Sequence, residues 1–140
     1  SHPAILQMID PDMLRWVCLC FFDALYVDRD ELELRRVFPE EPDEFADLAS
    51  ELAELVVSGI AGDGSRAATA IGRMLTRHTP LRLNARNRHA WLYLWAKVLR
   101  QRHVPPTALH PLWDWMAELT LRWLTPGSDT HVAVPLTLFR

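Results

Sequence analysis

The residues with the clearest chemical potential lie in RMLTRHTPLRLNARNRHAWLYLW, from Arg73 to Trp95. His78 closes a helical stripe of Ile71, Met74 and Leu75, and Pro80 follows two residues later. An imidazole on such a face loses hydration when buried, so it requires a hydrogen-bond partner or a metal. No second histidine or carboxylate lies three or four residues away on the same helix, which argues against zinc or a di-metal carboxylate centre. One protein ligand suffices when another group fills the remaining coordination positions. Haem b does so, because the porphyrin occupies four of them and one histidine completes the holding site. Such a group also needs large apolar side chains for its faces and cations where its carboxylates emerge. Phe22, Phe38, Leu48, Leu52, Met74 and Trp91 are candidates for the first role, Arg77 and Arg82 for the second. Each has an ordinary reading too: core filling, a solvated rim, and for His78 a hydrogen-bonded core histidine.

Cys18 and Cys20 are the only cysteines, too few for a disulfide scaffold or a cysteine-built zinc site, and both read as small buried hydrophobes. The chain has 140 residues, 49% hydrophobic and 24% charged, as expected of one soluble globular domain over residues 1–140 with its core at about 11–125. Fifteen basic against 18 acidic residues give a formal charge of -3, which makes nucleic acid and anionic membranes poor partners. No apolar run approaches the ~18 residues of a membrane span, and no basic segment leads into a cleavable apolar stretch. A cytoplasmic location is therefore expected. Ser1-His2 reads as a tag remnant without chemistry.

These side chains need helices to position them. Asp10-Pro11-Asp12 is a helix start, and Leu14, Val17, Cys18, Phe21, Phe22 and Leu25 supply a face that buries most of that helix. Pro39 and Pro42 break the chain after a short helix or turn ending near Phe38. From Asp43 an amphipathic pattern places Phe45, Leu48, Leu52, Leu55 and Val56 inward, with Asp47, Glu51 and Glu54 on the wet side. Three glycines in SGIAGDGSR interrupt it, and Ser65 can then cap a helix whose inward face is Ile71, Met74, Leu75 and His78. Asn84 caps a helix carrying Trp91, Leu94, Trp95, Val98 and Leu99, and Thr107 one carrying Leu112, Met116, Leu119 and Trp123 as far as Pro126-Gly127. The segment 126–140 alternates weakly, either an extended strap or disorder. The pattern predicts five or six helices without a strand, and a wide crossing between the helices before and after His78.

Two segments, CFFDALYVDRDELELRRVFPEE and RHTPLRLNARNRHAWL, resemble diagnostic regions of the truncated haemoglobins, most nearly the group with a tryptophan in the helix after the proximal histidine. The residues that carry the likeness are Arg77, His78, Pro80, Arg82, Leu83, Arg88 and Trp91, and it extends less sharply over about Asp12 to Leu124. It implies an all-α, globin-like 2-on-2 helical sandwich around haem b that binds O2, CO or NO, with a reductase as a partner that keeps the iron ferrous. His78 would be the proximal ligand and Trp91 the indole N–H donor to a bound gas. Phe38 would wedge against the porphyrin, and Leu48 and Leu52 would face the ligand.

Phe21-Phe22 departs from the Phe-Tyr pair usual in that family, so the distal hydroxyl is missing. Losing a buried donor worth ~1–3 kcal/mol lowers oxygen affinity roughly five- to more than a hundredfold. Tyr26, one turn beyond Phe22, either substitutes in part or packs with its oxygen at the surface. A small insertion in YVDRDELE either lengthens a loop or shifts Phe38. Peroxidase-type chemistry lacks a distal acid or base here. The competing expectation is a haem-less globin-like sensor or interaction domain, since Trp113 and Trp115 cannot both face one core. DNA binding through RLNARNRH is disfavoured by the acidic remainder of the chain.

Overall fold

The structure is a computed structural model and describes residues 3–27 and 32–138. Among these residues it is all-α. The elements are α1 (Pro3–Leu6), α2 (Pro11–Val27), α3 (Leu32–Arg35), α4 (Pro42–Ala61), α5 (Gly64–Arg77), α6 (Ala85–Gln101) and α7 (Pro106–Leu121), followed by a 3-10 turn at Leu136–Leu138. Part of the YVDRDELE insertion lies outside the described residues.

Local chemistry starts most of these helices. Asp10 accepts from the Asp12 N–H at 2.7 Å, ahead of Pro11 at the first helical position of α2. Glu41 accepts from the Glu44 N–H at 2.8 Å, and Pro42 opens α4. Asn84 and Asn87 exchange side chain-to-backbone bonds of 2.7 and 3.0 Å in a reciprocal cap on α6. Two expected caps differ. Asp63 rather than Ser65 caps α5, accepting from the Arg66 N–H at 3.1 Å. α7 starts at Pro106, without a side-chain cap from Thr107, because proline at the first turn has no N–H to satisfy. α4 ends where Gly62 takes φ 75°, a left-handed conformation that lets its N–H reach the carbonyls of Ser58 and Gly59.

α6 is the central element, packing against α2, α3, α7 and the final 3-10 turn. Two indoles tie α6 to α7 reciprocally: Trp95 donates to the Leu112 carbonyl at 3.2 Å, and Trp113 donates to the Leu92 carbonyl at 3.1 Å. Trp113 is therefore interior, and Trp115 is the half-buried one. The faces of α2, α4 and α6 bury the apolar residues that their periodicity selects. Cys18 is buried, which pushes its thiol up to about 12 against the opposing charge of Arg15, so it is inert as a nucleophile. Cys20 is only half-buried.

α5 is built differently. Ala70 is its one buried residue, and Leu75, expected inward, is 62% exposed. The helix lies antiparallel to α4 and packs on it directly, with no contact of comparable extent to α6 or α7. Asp47, Glu51 and Glu54 are not a wet face, because they meet the basic residues of α5. Glu54 pairs with Arg66 at 2.7 Å and Arg15 at 3.0 Å, Glu51 with Arg77 at 3.7 Å, and Asp47 with Arg77 at 3.5 Å.

Beyond α7 the chain folds back as a strap. Leu83 and Leu124 form an isolated parallel bridge, with 2.8 Å bonds from the Leu83 N–H to Trp123 and from the Thr125 N–H to Leu83. Trp123, expected within the last helix, lies just past its end. Arg88 fastens the strap, donating to Thr120 Oγ1 at 3.1 Å, the Ala117 carbonyl at 2.8 Å and the Thr130 carbonyl at 2.9 Å. Burial pulls the Arg88 pKa below its usual value, with Glu118 opposing the shift. Its guanidinium is thus committed inside the protein. Arg88→Met deletes three charge-assisted bonds and should lower unfolding stability by about 2–4 kcal/mol. Denaturant titration measures the loss, and limited proteolysis should cut first within residues 126–138.

Candidate functional site

The end of α5 delivers His78 into an apolar space. His78 takes extended backbone (φ -131°, ψ 154°), and its N–H caps the Met74 carbonyl. Its side chain is 5% exposed. It lines a cavity of about 230 Å³ together with Leu48 and Leu55 of α4, Ile71 and Met74 of α5, and Leu119 and Trp123. Leu55, Ile71, Leu119 and Arg122 also border a neighbouring groove of about 750 Å³ between α4, α5 and α7, so the two spaces adjoin. Trp115 and Gly59 lie along that groove.

His78 Nε2 is engaged. It lies 3.0 Å from Asp47 Oδ2, while Arg77 holds Oδ1 of the same carboxylate at 3.5 Å. Next to them Glu51 is buried with Oε2 lacking a hydrogen-bond partner, and its Oε1 is 3.9 Å from Arg73. Among the described residues no three histidine, cysteine or carboxylate side chains gather to share a metal ion. An imidazole in this position therefore has two options on the protein's own chemistry: the carboxylate it already meets, or a ligand-bearing group in the cavity.

Trp91 stands one ring behind the cavity. Its indole is 5.8 Å centroid to centroid from Trp123, at a 32° tilt. The rings of Phe38, Phe21 and Phe22 pack on it at 5.5, 5.7 and 6.3 Å. Trp91 is 1% exposed, and its Nε1–H finds no acceptor. A buried donor without a partner costs ~1–3 kcal/mol, so it is either a tolerated defect or a donor that waits for an acceptor.

The residues expected at the site separate into groups. His78, Leu48 and Met74 share the cavity, with Trp91 adjoining through Trp123. Leu52 is buried between the elements without lining it. Phe22 and Tyr26 border a different space, about 310 Å³ between α2 and α4. Tyr26 is engaged there by Phe45 at 5.0 Å and by the Arg35 guanidinium at 5.0 Å from its ring centroid. Arg77 is committed to Asp47 and Glu51, and Arg82 is exposed and does not line the cavity. The cation at the cavity is Arg122 instead.

Asp47, Leu55, Leu119, Arg122 and Trp123 are the members that sequence reasoning passed over. A signal for the first existed. The acidic row 47, 51, 54 and the basic set 66, 73, 77 are complementary when two helices run antiparallel across a short turn. Against this geometry, no family model, no curated protein and no solved structure matches the chain.

The unpartnered indole is open to test. Trp91→Phe and Trp95→Phe remove similar volume from sites that are both 1% exposed, but only Trp95 donates a hydrogen bond. Trp95→Phe should therefore cost about 1 kcal/mol more than Trp91→Phe. Paired urea titrations read the difference.

Proposed function

We propose that the chain is a truncated-haemoglobin-like protein, a 2-on-2 globin that holds haem b through His78 and reversibly binds diatomic gases. The observation that carries this reading is the nearly buried imidazole of His78 on the wall of an otherwise apolar cavity. The residues present fit the group on three further counts. The cavity adjoins a groove that widens it beyond the ~300 Å³ typical of the smallest ligand sites. Arg122 stands beside both spaces as a cation for carboxylates. The Trp91 N–H has no acceptor among the described residues.

When bound, haem would supply an iron centre with one open coordination position. This chain's own residues define what happens around it. His78 would hold the group from the α5 side, with Leu48, Leu55, Met74 and Leu119 excluding water from its faces. Trp91, behind Trp123, would offer an indole donor without a partner among the described residues. Phe21 and Phe22 add no hydroxyl, and Tyr26 is turned to Phe45 and Arg35, so a polar gas adduct receives little stabilisation.

A second reading has its own observation. His78 Nε2 is already satisfied by Asp47 and α5 lies on α4, as suits a haem-less globin-like domain that uses the groove between α5 and α7 for a partner. Hemin titration separates the two. The haem reading expects a Soret band with one-to-one stoichiometry that is lost in His78→Ala. It also expects carbon monoxide to be held by the reduced protein while oxygen dissociates quickly or oxidises the iron. A colourless wild-type protein sinks it and leaves the haem-less reading. No helix among the described residues is long and apolar enough to cross a membrane.

A further inference from the structure

His78 Nε2 has one in-plane bonding direction, so it cannot serve Asp47 and an iron together. The 3.0 Å contact to Asp47 Oδ2 therefore competes with the role proposed for His78. We infer that Asp47 is a latch: its carboxylate holds the His78 imidazole until haem arrives and then yields it, so that cofactor capture is a displacement. The inference rests on the haem reading.

Three features make the exchange local and inexpensive. Arg77 already holds the other oxygen of Asp47 at 3.5 Å, so the carboxylate keeps a cation after His78 leaves. The opposite end of α5 is tied independently, through Arg66 and Glu54 at 2.7 Å and from Glu54 to Arg15 of α2 at 3.0 Å. Movement is thus confined to the end of α5 that carries His78. The last turn has little apolar area to lose, because Met74 is half-buried there and Leu75, Thr76 and Arg77 are exposed. Residues 79–82 make no backbone-to-backbone hydrogen bond among the described residues, and the chain is next fixed at Leu83 by its bonds to Trp123 and Thr125. A short tether therefore joins His78 to a fixed point.

Asp47 is thus a positioning residue, acting on haem through His78. The test is hemin uptake by the cofactor-free full chain, followed by growth of the Soret band after mixing and by equilibrium titration. Asp47→Ala should capture hemin faster and bind it about 2- to 10-fold more tightly, the range set by one net hydrogen bond. Asp47→Asn, which keeps an acceptor without the charge, should fall between. Glu54→Gln loosens the other end of α5 and should behave as wild type. Equal rates and affinities for wild type and Asp47→Ala, each with a band that depends on His78, would overturn the latch and leave the haem reading standing. A Glu54→Gln effect as large as that of Asp47→Ala overturns it as well, since general loosening then explains both. No band in any variant, or one that survives His78→Ala, ends the haem reading and the latch together.

Discussion

The position of His78 depends on an electrostatic row between two helices. α5 has a single buried residue, so apolar burial, which fixes α2, α4 and α6, does little to hold it. Its place is set by Arg66, Arg73, Arg77 and His78 reaching the acidic row of α4. Most of these groups are partly exposed, with Arg77 at 54% and Asp47 at 42%. Such pairs contribute ~0–1 kcal/mol each and give direction more than strength. The helix that leads to His78 is consequently oriented more by charge than the other long helices are.

That arrangement contrasts with the other side of the cavity. Phe21, Phe22, Phe38, Trp91 and Trp123 form a contiguous aromatic cluster with ring centroids 5.0 to 6.3 Å apart. α6 stands at the centre of the fold, so Trp91 is held by α2 and α3 as well as by its own helix. Of this cluster Trp123 alone lines the cavity with His78, and the other rings stand behind it.

Polar groups inside the fold divide along the same line. Trp95, Trp113 and Arg88 have partners and fasten α6, α7 and the strap together. Trp91 Nε1 and Glu51 Oε2 do not, and both lie close to the elements that enclose the cavity. Arg35 Nε is a third buried atom without a partner among the described residues, and none of the three residues lines the cavity itself.

The all-helical composition and the faces of α2, α4 and α6 were legible in the sequence, because burial there follows the helical period and caps such as Asp10 and Asn84 act within three residues. That Met74 and His78 share a face was legible for the same reason, a stripe read at helical spacing, whereas the approach of Leu48 from α4 to the same cavity carried no such signal. What the period could not reveal is where interactions are long-range. Leu75 lines the cavity on the stripe it was assigned to yet stays 62% exposed, and Glu51 of the presumed wet row is buried, since α5 is placed by charges 12 to 31 residues distant in the chain as well as by its own stripe. The engagement of Nε2 by Asp47, the approach of Trp123 and Arg122 to the cavity, and the diversion of Tyr26 to Phe45 and Arg35 were decided by tertiary packing alone. Each joins residues whose separation in sequence carries no periodic signal, so only the folded chain brings them to one place.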